Sequence, residues 1–273
     1  MKLPFRRAPK GAEATTSQMT LMDHLRELRN RIFKAVCAIV VIAVVAYFLY
    51  DPIFRFMTEP YCRSIEGTDR TCSFYLSDLL GGFLLRLKVS MYVGFIGALP
   101  VILWQLWRFI MPGLYKNERR YTITFVASSI VLFILGAALA YYTLPPMLSW
   151  LQDSGGPSNS ITFIPSPDKY FWLSALMMLA FGVGFEFPLL LIALQIVGVI
   201  DYTQLARVRR YAAVGITAVV AVITPGGDPI SLIVLSVPLY LFYEMSIVVG
   251  RLMGRSKNKK ARELERVDAT SAS

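Results

Sequence analysis

The sequence predicts an all-α integral membrane protein of six transmembrane helices, several bent at proline, that together form a curved, concave wall. Hydrophobic residues make up 55% of the 273 residues and charged residues only 17%, and the mean hydropathy is +0.53. A soluble domain of this length needs more polar surface. Long apolar segments recur along the whole chain, and basic loops separate some of them, which is typical of a multi-span protein.

Six apolar segments are the predicted spans, at residues 32–50, 89–107, 121–144, 170–194, 211–224 and 229–250. Charged residues precede the first, but no small-residue cleavage motif follows it, so we interpret it as a retained helix rather than a signal peptide. The fifth is short: at about 1.5 Å per residue it reaches roughly 21 Å, against about 30 Å for a bilayer core. The PGGDP loop at 225–229 joins the last two spans in a tight hairpin.

The distribution of Lys and Arg predicts the orientation. Most of the 28 basic residues lie in the N-terminal segment, the loops after the second and fourth spans, and the C-terminal segment. Both termini are therefore expected in the cytoplasm. We divide the chain into a flexible cytoplasmic N-terminus at 1–18, a membrane domain at 19–250, and a basic, disordered cytoplasmic tail at 251–273. The tail suits anionic lipid head groups better than nucleic acid, for which no motif is present.

The second, fourth and sixth spans each carry a proline: Pro100, Pro188 and Pro238. A proline inside a helix removes one backbone hydrogen bond and bends the axis, which predicts the curved wall. The second span ends in Trp104 and Trp107, which suit the membrane interface.

Motifs of enzymes and metal sites are missing. The chain has one histidine, His24, and three cysteines without metal-ligand spacing. It contains no HExxH, no GxxxxGK[ST], and no GxSxG with a partner histidine. We therefore expect no metal, no cofactor and no enzymatic activity. A membrane receptor, a channel component or a secondary transporter remains.

Two stretches predicted to be cytoplasmic each contain an acid among basic residues. In TLMDHLRELRNRIF, residues 20–33, apolar residues recur at helical spacing, which predicts an amphipathic helix leading into the first span. Its Glu27 either pairs with Arg31 on the same helix or serves a function. In LPVILWQLWRFIMPGLYKNERR, residues 99–120, Glu118 is explained equally well as an acid in a first helical turn.

The motifs HLRELRNR, LWRFIMPGLYKNERR, FGVGFEFPLL and the TP…D loop occur in this order, and together they resemble the TatC family. TatC proteins are receptor subunits of the twin-arginine protein translocase, and the resemblance covers about residues 19–250. It implies a multi-pass protein of the cell inner membrane that binds twin-arginine signal peptides of folded proteins. It also implies TatB- and TatA-type single-span partners, a homo-oligomer within the receptor complex, and export driven by the proton-motive force.

The resemblance also implies residue roles. By motif, the cytoplasmic acids that read the peptide's arginine pair are Glu27 and Glu118. Guanidinium binds carboxylate in a planar, bidentate manner that lysine cannot copy. Basic neighbours such as Arg29 keep the acids ionised. Further matching positions of the same recognition patch are Phe109, Pro112 and Tyr115.

In the loop before the sixth span, Thr224 and Asp228 match a polar cluster that meets TatA- or TatB-type helices in the family. The chain departs from the family here, because Leu232 stands where many members have glutamine, so that residue's role is not carried over.

Glu186 lies in the fourth span, about 24 Å along the helix from its predicted start. An ionised acid at the centre of a bilayer costs roughly 2.5–3.5 kcal/mol or more, so it should face protein or water. We favour a role in contacting a partner helix or keeping a concavity hydrated, with a structural acid as the alternative. For Glu244 in the sixth span we favour the structural role. A proton-coupled solute transporter would use both acids, but the internal repeats it predicts are not evident.

Cys62 and Cys72 lie in the external loop YCRSIEGTDRTCSFY, symmetrically about Gly67. A turn at Gly67 brings them together, and the compartment outside a bacterial membrane permits disulfides. We therefore predict a Cys62–Cys72 disulfide over two free thiols. Cys37 in the first span is expected to be a small apolar residue of the core.

Overall fold

The computed structural model describes residues 21–67, 71–76, 78–110, 119–154, 165–224 and 227–271. All regular structure in these ranges is helical. The helices are α1 (Leu21–Phe48), α2 (Tyr50–Ser64), α3 (Gly81–Ile110), α4 (Arg119–Ser154), α5 (Pro167–Gly184), α6 (Phe187–Val197), α7 (Tyr202–Arg207), α8 (Arg209–Ile223) and α9 (Pro229–Ser271). The predicted N-terminal segment 1–18 lies outside the described residues.

Five stretches of these helices are long and apolar enough to cross a membrane. They are Leu25–Phe48, Gly81–Arg108, Ile123–Ser154, Pro167–Val197 and Pro229–Leu252. The remaining predicted span is α8, an apolar helix of 15 residues, whose length of about 22 Å falls short of a bilayer core of about 30 Å. The predicted all-α architecture of six apolar spans is confirmed, with the short fifth span retained.

Helices α1 and α3 run antiparallel in close contact because α3 presents glycine where the backbones approach. A Cβ atom built on Gly94 would lie 2.6 Å from the Cβ of Ala43, so no larger residue fits there. At the end of α1, Arg86 donates a hydrogen bond of 2.9 Å to the carbonyl of Tyr47. The Arg86 guanidinium also lies 4.5 Å from the centre of the Tyr47 ring, a cation–π arrangement. Helix α1 is thus attached mainly through α3.

A second close crossing joins α4 to α5. A Cβ on Gly136 would lie 2.5 Å from the carbonyl oxygen of Phe181, and one on Gly182 would lie 2.3 Å from the Phe133 ring. Phe181 itself is fully buried in the core cluster. Small residues that permit close backbone approach are typical of helix packing in membranes. Lipid tails are as apolar as the side chains, so burial of apolar surface does not favour contact between helices over contact with lipid.

The three predicted proline bends differ in kind. Pro100 and Pro238 lie inside α3 and α9, which continue through them. Pro188 instead lies in the first turn of α6, after α5 has ended at Gly184. Proline is well tolerated in a first helical turn, where its missing N–H is not needed. The fourth span is therefore broken into two helices, and Glu186 lies at the break.

Helix α2 was not predicted, because the sequence analysis assigned its residues to an external loop. Its buried residues include Met57 and Tyr61, which pack against Phe74 and Phe171 in an aromatic cluster. The hydroxyl of Tyr170 donates to the carbonyl of Met57 at 2.5 Å, which ties α2 to α5. The alternation of buried Met57 and Tyr61 with exposed Glu59 and Arg63 is the amphipathic signal that could have identified the helix.

The C-terminal segment also differs from expectation. Helix α9 continues to Ser271, where the sequence analysis expected a disordered tail over 251–273. The segment is rich in Lys, Arg, Glu, Ala and Leu, which are all strong helix formers. The net positive charge of this segment is therefore compatible with a helix, because its residues favour helix formation.

Candidate functional site

A groove of about 360 Å³ lies between the first turns of α1 and the last turns of α3. It is lined by Arg26, Glu27, Asn30, Arg31, Lys34, Gln105 and Arg108. The α1 residues recur at intervals that place them on one helical face, and the two α3 residues are three apart and so share a face. Four cationic side chains and one carboxylate therefore share this groove.

Glu27 is bound by Arg31 within the groove. The Arg31 Nε atom lies 3.2 Å from the Oε1 atom of Glu27, and Nη2 contacts the same oxygen. Nη1 of Arg31 donates a hydrogen bond of 3.2 Å to the carbonyl of Gln105 on α3. The Arg31 side chain is 13% exposed and the Glu27 side chain 35% exposed. The pairing on one helix is therefore present, and it leaves the carboxylate partly open to solvent.

Of the other residues predicted to form the recognition patch, Arg29 is described and exposed on α1. Phe109 lies in the last turn of α3, which ends at Ile110. The side chain of Phe109 lies outside the described residues, as do Pro112, Tyr115 and Glu118 in full. The structure thus brings Glu27 to the end of α3, from which the segment carrying Glu118 continues.

Glu186 has polar protein neighbours. Its Oε2 atom accepts a hydrogen bond of 2.5 Å from the Ser129 hydroxyl on α4, and Ser129 Oγ accepts one of 2.9 Å from Trp107 Nε1 on α3. Ser129 is fully buried and Trp107 is 4% exposed. The Oε1 atom of Glu186 is buried and has no hydrogen-bond partner within the described part of the chain. Three helices therefore meet at one intramembrane acid.

Sequence reasoning missed two members of this network. Trp107 was predicted to lie at the membrane interface, but its ring packs inside the protein and its N–H donates to the Ser129 hydroxyl, so the side chain does not face lipid. Trp104, in contrast, is 42% exposed. Ser129 carried a weak signal, as a hydroxyl within an apolar span, where polar side chains commonly bond to neighbouring helices.

The polar cluster before α9 is buried. Asp228 is fully buried, and its Oδ2 atom accepts a hydrogen bond of 2.6 Å from the N–H of Ser231. This contact caps the N-terminus of α9. Thr224 is also buried, with its hydroxyl donating to the carbonyl of Val220 at 2.9 Å. Leu232, in place of the family's glutamine, packs against the main hydrophobic cluster.

Glu244 has a different environment from Glu186. Its Oε2 atom lies 3.2 Å from Nη2 of Arg209, which joins α9 to the start of α8. The hydroxyl of Tyr240 donates to the other carboxylate oxygen at 3.3 Å. Glu244 therefore connects two helices, in agreement with the structural role preferred for it. No cluster of three or more His, Cys, Asp or Glu suited to a metal ion occurs among the described residues.

A disulfide joins Cys62, in the last turn of α2, to Cys72, in the segment that leads to α3. Gly67, between them, has φ of +84°, a left-handed conformation that glycine adopts without strain. Thr68 to Arg70 lie outside the described residues. Cys37, predicted to be a core residue, is a free thiol on the exposed surface of α1.

Comparison with known proteins identifies the family. The family model described as "Sec-independent protein translocase protein (TatC)" matches residues 23–238. A TatC protein of Frankia casuarinae is 37% identical over 247 residues, covering 88% of this chain and 67% of that protein. One from Aquifex aeolicus is 38% identical over 242 residues, covering 88% of this chain and 98% of that protein.

A solved structure supports the same assignment. A crystal structure of the twin-arginine translocase receptor TatC in DDM superposes with a TM-score of 0.69 at 36% identity, covering 83% of this chain and 99% of that one. The chain belongs to the TatC family of Sec-independent protein translocase proteins.

Proposed function

We propose that this protein binds twin-arginine signal peptides at the groove between α1 and α3 and acts as the receptor subunit of its translocase. The family consists of multi-pass inner-membrane components of a protein translocase rather than enzymes. The observation that carries the proposal is Glu27, a partly exposed carboxylate that already holds a guanidinium, that of Arg31. The groove therefore has the stereochemistry that an incoming arginine needs.

In this proposal, one arginine of the signal peptide takes the place of Arg31 at Glu27. The Nε and Nη2 atoms of Arg31 both contact the Oε1 atom of Glu27, whereas a guanidinium that engages both carboxylate oxygens side by side binds more strongly. The second arginine is assigned to Glu118, by motif. A lysine would provide a point charge without the planar fork, so a twin-lysine peptide binds less well.

The proposed orientation places both termini, and hence the groove, in the cytoplasm. It rests on the excess of Lys and Arg in the segments on that side. TatA- and TatB-type single-span subunits are the proposed partners, in a receptor complex with several copies of this chain and with export driven by the proton-motive force. Glu186, Thr224 and Asp228 are assigned to partner-helix contact. Thr224 and Asp228 are buried, so a partner would act on them by repacking the helices around them, whereas the half-buried Glu186 is accessible to a partner in part.

The test is the affinity of the detergent-solubilised full chain for a labelled twin-arginine peptide and for its twin-lysine counterpart. Glu27→Gln and Glu118→Gln should each weaken twin-arginine binding and narrow the difference between the two peptides. Losing one partner of a buried, hydrogen-bonded charge pair costs about 2–5 kcal/mol, and an exposed pair much less. Glu59→Gln is the matched control, because Glu59 forms the same type of pair with Arg63 on α2. Unchanged affinity in both single variants and in the double variant would rule the proposal out.

No specific observation favours the alternative of a proton-coupled solute transporter. That alternative requires two intramembrane acids available for proton exchange. Glu244 is paired with Arg209 and hydrogen-bonded to Tyr240. Of the two acids that this alternative would use, only Glu186 has a buried carboxylate oxygen without a partner in the described part of the chain.

A further inference from the structure

The groove between α1 and α3 carries more positive charge than Glu27 balances. Arg31 is paired with Glu27, whereas the other three cations in its lining are Arg26, Lys34 and Arg108. No acidic partner for these three occurs among the side chains that the structure describes. Three cationic groups converging on one cavity repel each other unless an anion lies between them.

We propose that this groove is a binding site for the phosphate of an anionic phospholipid headgroup, with Arg26, Lys34 and Arg108 as its ligands. Arginine and lysine are the side chains that proteins use to bind phosphate. The cavity of about 360 Å³ falls within the usual range for small-molecule sites. Its lining is mostly charged or polar, which suits a headgroup and does not suit an acyl chain.

The position of the groove identifies the source of the phosphate as a lipid. The groove lies where the span of α1 begins and the span of α3 ends, at Leu25 and Arg108, which is the level of the headgroups. On α1, Phe33 lies beside this lining face and is 69% exposed. A lipid with its phosphate in the groove can lay its acyl chains along this apolar surface, whereas a free phosphate gains nothing from it.

Occupation by lipid would also favour the proposed peptide binding, and this consequence rests on the proposed function. A twin-arginine segment is cationic, and the groove as it stands repels it except at Glu27. A bound phosphate neutralises part of that charge and offers Arg31 a second anionic partner, which makes Glu27 easier to reach. The lipid site itself does not depend on peptide binding, so the two proposals can fail separately.

The experiment measures lipid binding to the purified, delipidated full chain by native mass spectrometry, without peptide. Phosphatidylglycerol and phosphatidylcholine are titrated in parallel. Phosphatidylglycerol should bind about tenfold more tightly, and the variant Lys34→Gln/Arg108→Gln should lose that preference. The matched control is Arg207→Gln/Arg210→Gln, which removes two exposed cations at the end of α7 and the start of α8, on the same side of the membrane in the proposed orientation. The control should keep the preference.

A second variant is expected to bind phosphatidylglycerol more tightly, a result that misfolding cannot produce. Glu27→Gln removes the one carboxylate among the described lining residues and leaves Arg31 without that partner, so phosphatidylglycerol should bind more tightly than to the unmodified protein. A preference retained by the groove variant, or lost equally in the control, would overturn the proposal. Inorganic phosphate is the third arm: if it binds the delipidated protein as tightly as phosphatidylglycerol, the site is one for free phosphate and the lipid assignment fails.

Discussion

Under the proposed function, Arg31 competes with the signal peptide for Glu27, so removal of the Arg31 charge should strengthen peptide binding. The perturbation is Arg31→Gln, which keeps a polar side chain of similar reach but loses the charge. The pair is partly exposed, at 13% for Arg31 and 35% for Glu27. Exposed pairs at this helical spacing are worth about 0.3–0.5 kcal/mol and other exposed pairs up to about 1 kcal/mol. Since a peptide arginine must break this contact first, its loss should raise twin-arginine affinity about two- to fivefold.

The assay is fluorescence-detected binding of the labelled peptide to the solubilised protein at low and physiological salt. Arg63→Gln is the control, because it breaks the pair of the same spacing with Glu59 on α2 and should leave affinity unchanged. Arg31→Lys should give an intermediate affinity, since lysine keeps the charge but not the fork. Arg31→Gln also removes the hydrogen bond from Arg31 to the Gln105 carbonyl. The midpoint of thermal unfolding shows whether losing that bond destabilises the protein, separately from the change in peptide affinity. Affinity that is unchanged or weaker in Arg31→Gln, at unaltered stability, would refute the competition.

Three further predictions concern other parts of the molecule. Trp107→Phe removes the N–H donor to the Ser129 hydroxyl, so transport in a cell-based export assay should fall while peptide affinity in the binding assay is retained; equal loss of both would contradict separate roles. Thiol labelling of denatured, unreduced protein should modify Cys37 but not Cys62 or Cys72, whose bridge constrains the loop by up to about 3 kcal/mol, and labelling of all three would contradict the bridge. Gly136→Ala places a methyl 2.5 Å from a backbone carbonyl and should lower the unfolding midpoint, as overpacking costs about 1–3 kcal/mol, whereas Gly215→Ala, with no atom within 4 Å, should not.

Hydropathy predicted the spans because a bilayer imposes the same requirement on every segment that crosses it, whatever the packing. It failed where structure depends on neighbours. Helix α2 is amphipathic and contains Pro60, so its sequence has no continuous apolar run from which a helix could be predicted. Its buried residues pack against partners such as Phe171, more than a hundred residues away in the chain. The break before Pro188 was predicted only as a bend, because the sequence does not show that backbone bonding is interrupted on the N-terminal side of the proline.

The site was predictable in part for similar reasons. Both explanations offered for Glu27 are compatible with the structure: it pairs with Arg31 on its own helix, and it faces a groove suited to a guanidinium. Local spacing is sufficient to predict such a pair. The contact of Arg31 with Gln105 and the network from Trp107 to Glu186 join different helices. They depend on how far one helix is shifted and rotated against the next, which residue types alone do not specify.

The end of α3 connects the groove with the intramembrane acid. Gln105 accepts a hydrogen bond from Arg31 through its carbonyl, and two residues later Trp107 donates to the network that reaches Glu186. Residues two apart on a helix point about 200° from each other, so the same turn faces α1 on one side and α4 on the other. Under the proposed function, a peptide arginine that displaces Arg31 from Glu27 would also weaken the contact of Arg31 with the Gln105 carbonyl. We therefore expect peptide binding to loosen one attachment to α1 of the turn that holds the Trp107 hydrogen bond to Ser129.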